Sequence, residues 1–401
     1  MAPRSSTATV VASTPSSSAA TTVLALDSRE EQFLQPDDDD VQRLLDESKL
    51  IKFHARVVWR NVALFVALHI GALVGAYQLL FQAKWATVLW TFAVWVMSFI
   101  GNTAGSHRLW AHRSYKARFP LRVLLIWWQT MAFQNDVLEW CRDHRCHHKW
   151  TDTDADPHNT RRGFFFAHMG WLLMRKHPQI KENGRKLNMS DLERDPVVAW
   201  QHRYERGWWC SVGNLLRSRL LVGVRFSRGR ADEESGEEEK GKSRAHAFRH
   251  YLPLVALLCF LFPTAVPVYL WGESASIAFY TAVLFRYCSG LHVTWLVNSV
   301  AHFFGYKPYD LTITPVESTW VNILTMGEGG HNYHHTFPQD YRTSEYSFKD
   351  NWTRLFIDGF AAIGWAYDLK VVTPEAIERQ KQKQRAQAEG KKTTTTTTTV
   401  N

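Results

Sequence analysis

The sequence predicts an all-α membrane protein with four transmembrane helices in two hairpins and a cytosolic helical cap holding a histidine-rich site. Three observations predict it. Four apolar stretches, Val57–Leu80, Trp85–Ala104, Tyr251–Leu270 and roughly Ser276–Val297, each approach the ~20 residues a bilayer-spanning helix needs. Three tight histidine groups lie just beyond the ends of the second and fourth stretches. Lysine and arginine are concentrated in the long segments between and after the stretches and are sparse in the short connectors.

Residues 1–50 come first. Positions 1–27 are rich in Ser, Thr and Ala and lack the apolar core of a signal peptide. A transit peptide has a related composition, but a disordered cytosolic tail is the preferred reading. The acidic run Asp37–Asp40 then precedes a short amphipathic segment, Val41–Leu50. The first two spans and the first part of the cap fill 51–204. The connectors FQAK and WGESA are too short to hold a domain, so each pair of spans forms a hairpin. The positive-inside rule places both termini and the central segment in the cytosol, with all three histidine groups on one side. The apolar, Trp-rich stretch PLRVLLIWWQTMAFQNDVLEW reads as an interfacial helix, because a fifth crossing would separate the first two histidine groups. Residues 205–249 contain DEESGEEEKGK and read as an inserted, low-complexity loop. The second hairpin and the third histidine group occupy 250–372. Residues 373–401, which include a run of seven threonines, read as a disordered tail.

Composition narrows the function classes. The chain has 401 residues and a net charge of +9, with a pI of about 9.3 and a mean hydropathy of −0.27 that averages very apolar and very polar segments. No nucleic-acid motif accompanies the charge, which leaves an anionic membrane surface or an anionic ligand. The five cysteines are odd in number and include no CxxC pair, which argues against a disulfide framework.

The histidines carry the chemistry. They are His107 and His112 in HRLWAH, His144, His147 and His148 in HRCHH, and His331, His334 and His335 in HNYHH. Spacing of i, i+3 and i+4 puts three rings on one helix face. HRLWAH, at i and i+5, needs a helix end or a bend to aim both rings at one point. Neutral imidazole binds iron, zinc, copper and nickel. Eight clustered rings exceed the needs of one site, so two metals is the economical reading. His302 is a ninth candidate, and Asn298, four residues earlier, could hold a metal-bound water. Isolated histidines such as His54, His69, His202 and His250 read as surface or core residues. All-imidazole ligation beside a membrane suits iron activating dioxygen on a lipid-like substrate, without separating desaturation from hydroxylation.

HRLWAH, EWCRDHRCHHKWTDTDADPHNTRRGFFFAHMGWLLMRKHP, NSVAHFFGYKPYD and GEGGHNYHHTFPQDYR together resemble the membrane-bound acyl-CoA desaturases of the stearoyl-CoA type, over about residues 50–204 and 250–372. The resemblance implies an endoplasmic-reticulum enzyme with two irons. It implies insertion of a cis double bond into a saturated fatty acyl-CoA, usually at carbon 9, using dioxygen and electrons from cytochrome b5 and its NADH-dependent reductase. The implied metal ligands are His107, His112, His144, His147, His148, His302, His331, His334 and His335, with Asn298 acting through water. Implied coenzyme A contacts are Asn135, Arg142, Asp143, Arg175 and Lys176, which suits a polyphosphate. Trp140, Thr294 and Trp295 fall where the family positions the acyl chain. Trp95 and Phe99, one turn apart, fall where it closes the tunnel.

Two alternatives stand beside this reading. One is a membrane fatty-acyl hydroxylase with the same type of diiron site; the context of the second and third histidine groups favours the desaturase. The other is a non-enzymatic metal transporter, which would want ligands within the spans, near the bilayer midplane; the three histidine groups lie beyond the span ends, and only His69 and His292 lie within spans. A front-end desaturase with a fused cytochrome domain would carry an HPGG haem motif, and the sequence has none.

Overall fold

A computed structural model describes residues 21–24, 38–50, 53–202, 250–345 and 350–398. The expected inserted loop at 205–249 lies outside the described residues. Helix α1 is Asp38–Leu50, α2 is Trp59–Phe81 and α3 is Trp85–Ala111. Helices α4, Phe119–Ala132, and α5, Val137–Lys149, follow. After the central segment come α6, Tyr251–Trp271, and α7, a continuous helix over residues 275–298. The C-terminal part contains α8, His331–Thr336, α9, Trp352–Ala362, and α10, Pro374–Thr398, with several shorter helices in the cap.

Among the described residues, α2, α3 and α6 are long and apolar enough to cross a membrane. The fourth expected span, α7, is helical over its whole predicted length. It carries Arg286, His292 and several hydroxyls, and so is less apolar than the other three. The outer face of α2 leaves Leu64, Ile70, Leu73 and Leu80 each more than half exposed, as a surface that meets lipid does. Helix α4 has only 14 residues, too short to cross the ~30 Å hydrocarbon core. It lies against α3 and buries Leu121, Leu125 and Ile126, while Phe119 and Trp127 face outward.

Proline and arginine explain how α6 joins the bundle. Pro263 has no N–H for the carbonyl of Cys259, and Pro267 has none for the carbonyl of Pro263. Both freed oxygens are taken by side chains. Arg286 of α7 donates to Cys259 O at 3.0 Å, and Trp90 of α3 donates to Pro263 O at 3.0 Å. Arg286 also reaches Met131 O at 2.7 Å and Ala282 O at 3.1 Å, and is 1% exposed. A guanidinium is thereby held between helices by backbone dipoles, as buried polar groups in apolar surroundings require. The connectors meet as well. Glu273, after α6, accepts from Lys84 N at 2.9 Å and Thr87 Oγ1 at 2.6 Å, and Lys84 Nζ donates to Gly272 O at 2.7 Å.

Two segments expected to be disordered differ from that expectation. Thr21–Leu24 (β1) pairs in parallel with Leu369–Val372 (β4), and the short strands Lys116–Ala117 (β2) and Ala366–Tyr367 (β3) pair antiparallel. Helix α10 begins at Pro374 and buries Ala376 and Ile377 against Tyr309, Tyr333 and Phe337. Gln380 donates to Tyr309 O at 2.8 Å. Polar composition concealed these anchors because only two apolar side chains on the first turn make the apolar contact. Helix α1 likewise buries Leu44 beside Cys146, Trp150 and Ala155. The described cysteines, Cys141, Cys146, Cys259 and Cys288, are buried and free, as expected.

Helix α2 crosses α7 at Gly71 and Gly75. A Cβ on Gly75 would stand 2.1 Å from Tyr280 O, and one on Gly71 would stand 2.5 Å from Leu284 Cδ1. Small residues four apart let helix backbones touch where apolar solvent gives no hydrophobic drive to association. Gly75→Leu is expected to push α2 off α7, destabilising the protein by about 1–3 kcal/mol as overpacking does. Thermal unfolding in detergent checks this, with Leu73→Ala on the exposed face as the control that stays near wild type.

Candidate metal centre

The C-terminal ends of α3 and α7 meet α5 and α8, and four chain segments deliver imidazoles to one place. The last part of α3, Gly101–Ala111, is wound as a wide π-type helix and is wholly buried. There His112 N donates to His107 O at 3.0 Å, a bond spanning five residues. This winding turns the i, i+5 spacing of HRLWAH into one helical turn, and the rings lie 4.7 Å apart between centroids. The expected bend is therefore a change of helix type, a feature common at functional sites. Helix α5 is capped by Asp136, whose side chain accepts from Glu139 N at 3.0 Å. It presents His144, His147 and His148 two turns later.

The nine histidines converge as two groups. His107, His112, His144, His148 and His334 form one; His147, His302, His331 and His335 form the other. Within each group the ligand-capable nitrogens lie within 4.8 Å of one another. Each three-histidine motif is divided between the groups. Positions i+3 and i+4 are about 100° apart around a helix and straddle position i. In α5, His144 and His148 join the first group and His147 the second. In α8, His331 and His335 join the second and His334 the first. One helix thus supplies two rings to each group and the other supplies the third. The three rings share one helix face, as the spacing predicts, and that face bridges two points.

The orientation of the rings tests whether they fit a metal. His147 Nδ1 meets Asp156 Oδ1 at 2.9 Å, and its buried Nε2 has no hydrogen-bond partner. His302 Nδ1 faces Thr314 Oγ1 at 2.8 Å, and that hydroxyl donates its proton to Asp152 Oδ2 at 2.6 Å. The hydroxyl therefore accepts from His302 Nδ1–H, and His302 Nε2 carries the lone pair. His107 Nδ1 meets Glu328 Oε2 at 2.9 Å, and Arg108 holds the other oxygen of Glu328 at 2.8 Å. These outer partners fix each tautomer with the metal-binding nitrogen inward. The inward nitrogens crowd: His112 to His144 at 2.7 Å, His107 to His334 at 2.8 Å, and His302 to His331 at 3.1 Å. Converging lone pairs repel unless a cation lies among them, so the donor set fits bound metal.

Electrostatics favours the neutral, ligating form. Burial, and then neighbouring imidazoles, push His112, His144, His148, His331, His334 and His335 well below the ordinary imidazole range. For His147 burial acts in the same direction, but Asp156 outweighs it and raises the group. Burial would raise Glu328, but Arg108 and His107 hold it at about 2, so it stays an anion.

The other expected residues surround this box. Trp140 stacks on His144 with centroids 4.9 Å apart. Thr294 Oγ1 accepts from Gln134 Nε2 at 3.0 Å. Trp295 is buried and packs against Phe65 and His168. Asp143 pairs with Lys176 rather than with adjacent Arg142, which lies against Gly184. Arg175 N is tied to Arg56 O at 2.9 Å, and Asn135 O accepts from Gln129 Nε2 at 2.6 Å. Trp95 and Phe99 stack 5.6 Å apart on the wall of a cavity they share with Gln134, Tyr287 and Gly290. Asn298 ends α7, four residues before His302.

Sequence reading missed the supporting shell of Asp152, Asp156, Thr314 and Glu328. The acid before HNYHH in GEGG was its most visible signal. Asp156→Asn is expected to leave the fold intact and lower metal affinity by about 10–100-fold. His147→Ala is expected to remove metal from the four-histidine group. Metal content of purified membranes, measured by mass spectrometry, checks both.

A family model described as fatty acid desaturase matches residues 84–355. The Delta(9)-fatty-acid desaturase fat-6 of Caenorhabditis elegans is 54% identical over 351 residues, covering 88% of this chain and 90% of that protein. The acyl-CoA Delta-9 desaturase of Acheta domesticus is 46% identical over 82% of this chain and 79% of its own length. The stearoyl-CoA desaturase of Bos taurus is 50% identical over 320 residues, 80% of this chain and 76% of its own length. With its divided imidazole box and this extent of similarity, the chain belongs to the fatty acid desaturase family.

Proposed function

We propose that this chain is an acyl-CoA Δ9 desaturase, a membrane oxidoreductase that inserts a cis double bond into a saturated fatty acyl-CoA. The observation that carries the reading is the division of nine imidazoles into two metal-sized groups beside membrane-crossing helices. The named activities of its relatives supply the substrate class and the bond position.

Iron is the proposed metal in both groups. The donor set is imidazole alone, with carboxylates one shell out and the nearby Cys141 and Cys146 thiols pushed upward by burial. Such a set suits redox-active iron better than a structural zinc site, which often takes thiolates. Bound iron supplies the oxidising chemistry with dioxygen that breaks unactivated C–H bonds. The chain supplies the rest. Glu328 and Asp156 hold His107 and His147 in one tautomer. Trp140 and the buried wall around it exclude water from the box. The four-histidine group is the poorer in protein donors, and Asn298 is proposed to complete it through a water.

The acyl-CoA reading assigns the headgroup to Asn135, Arg142, Asp143, Arg175 and Lys176. Lys176 offers a point charge and the arginines offer guanidinium forks to phosphate. The chain would pass Trp140, Thr294 and Trp295 and end against Trp95 and Phe99. Trp95 and Phe99 wall a small cavity between α3 and α7, which supports a tunnel end there. Four spans in two hairpins are proposed, α2 with α3 and α6 with α7, because Lys84 and Glu273 bring both connectors to one end. Both termini and the metal box then face the cytosol, in the endoplasmic-reticulum membrane. Cytochrome b5 with its NADH-dependent reductase is the proposed donor, since the chain carries no haem or flavin motif and its basic surface would steer an acidic carrier.

Expression in a desaturase-deficient yeast, with mass spectrometry of double-bond positions, tests the function. Δ9 mono-unsaturated acyl chains and restored growth are expected. A hydroxylated acyl chain in their place would favour the hydroxylase. A second experiment tests the tunnel. Each methylene gained in an apolar pocket is worth roughly 1–3 kcal/mol. Trp95→Ala or Phe99→Ala is therefore expected to raise the ratio of 18- to 14-carbon product by at least about tenfold without moving the double bond. An unchanged ratio in both stably expressed variants would place the tunnel end elsewhere.

A further inference from the structure

A second convergence of imidazoles lies outside the metal box. His69 comes from the middle of α2, and Cys288 and His292 come from α7, one turn apart on the same face. Their ligand-capable atoms lie within 4.8 Å of one another, the same span that bounds the two histidine groups. His69 Nε2 and His292 Nε2 are 2.9 Å apart. Ionisable side chains within membrane-crossing segments are rare and generally functional.

The surrounding hydrogen bonds decide which nitrogens carry protons. His69 Nδ1 lies 2.6 Å from the carbonyl of Phe65, which can only accept, so Nδ1 is the donor and Nε2 bears the lone pair. On the other side, Ser299 Oγ donates its single proton to Trp295 O at 2.8 Å. It must then accept from His168 Nδ1, at 2.9 Å. His168 Nε2 is left with a lone pair and faces His292 Nδ1 at 3.0 Å, so His292 Nδ1 donates. His292 Nε2 therefore also carries a lone pair. With all three rings neutral, the relay aims two lone pairs at each other across 2.9 Å beside a buried thiol. This is the arrangement that marks the inward nitrogens of the nine-histidine box.

We propose that His69, Cys288 and His292 form a third metal site, separate from the nine imidazoles, that takes Zn2+ or a similar thiolate-binding cation. Two imidazoles and one thiolate are borderline-to-soft donors, which select zinc over the hard cations. Binding releases the Cys288 thiol proton to solvent, leaving a net single positive charge at the site. Three protein donors leave a fourth position for water. His168 is a positioning residue: through His292 Nδ1 it fixes the ligating tautomer. The ion would tie α2 to α7 within a turn of the Gly71 crossing and beneath Trp295, whose ring lies 5.0 Å from His292. The inference does not depend on the desaturase reading.

The full-length protein in detergent tests it with Co2+ and Zn2+ as probes. Iron-loaded wild type is expected to retain one further equivalent of Zn2+ after desalting. His69→Leu combined with His292→Leu is expected to retain less than about a tenth of that and to keep its iron, and His168→Ala to bind Zn2+ about 10–100-fold more weakly. With Co2+, wild type is expected to show a thiolate-to-cobalt charge-transfer band that vanishes in Cys288→Ser. This readout ignores metal in the all-imidazole box and needs no double variant to fold. No thiolate band in wild type, or an equal band in Cys288→Ser, would overturn the site. So would equal zinc retention by wild type and the iron-replete double variant. A pair of rings sharing only a proton would give the first of these results.

Discussion

Nine imidazoles occupy one buried volume only if every ring is held with its lone pair inward. That requirement governs much of the structure. Imidazolium ions at these separations would repel one another, and burial already drives most of these rings toward the neutral form. Neutral rings with converging lone pairs also repel, and a bound cation reverses the sign. Glu328, Asp156 and Thr314 accept from the outward nitrogens of His107, His147 and His302, which sets the tautomers of these three rings without a metal. Arg108 is buried because Glu328 must remain charged while bonded to His107.

The backbone serves the same requirement. A regular α-helix through HRLWAH would point His107 and His112 about 140° apart, and the π-type winding of Gly101–Ala111 brings them onto one side. The loop before α8 must bring Glu328 under the box. It does so with Gly327 at φ +116°, where a Cβ would stand 2.2 Å from Asn351 Oδ1. Asn351 in turn caps α9 by accepting from Arg354 N. The ligand-bearing turn and α9 are thereby locked to one another, and α9 packs in the same core as α3.

The box sits at the ends of helices that are long and apolar enough to cross a bilayer. Their polar residues are bonded within the protein, as a lipid environment demands. Arg286 and Trp90 take the carbonyls that Pro263 and Pro267 leave without helical partners. Helices α2 and α7 touch at glycines, and the same interface carries the His69–His292 relay. One surface thus combines close backbone packing with the convergence of His69, Cys288 and His292.

Much of the helical architecture and the nine converging histidines were legible in the sequence, because apolar length and i, i+3, i+4 spacing are local patterns that helix geometry converts directly into position. The division of each HxxHH motif between two groups was not, since spacing says which rings share a face but not how many points that face serves. Nor were Asp152, Asp156, Thr314 and Glu328 as tautomer-setting partners, because single acids and hydroxyls have no periodicity. The anchoring of α10 by Ala376 and Ile377 escaped for a similar reason: a polar average conceals one apolar turn. His69 read alone is an unremarkable histidine. Only the crossing of α2 over α7 brings it to His292 and Cys288, more than 200 positions away in the chain. Local pattern determined the elements and the chemistry of the donors; tertiary packing decided which donors meet, because meeting depends on helix crossings that no local pattern encodes.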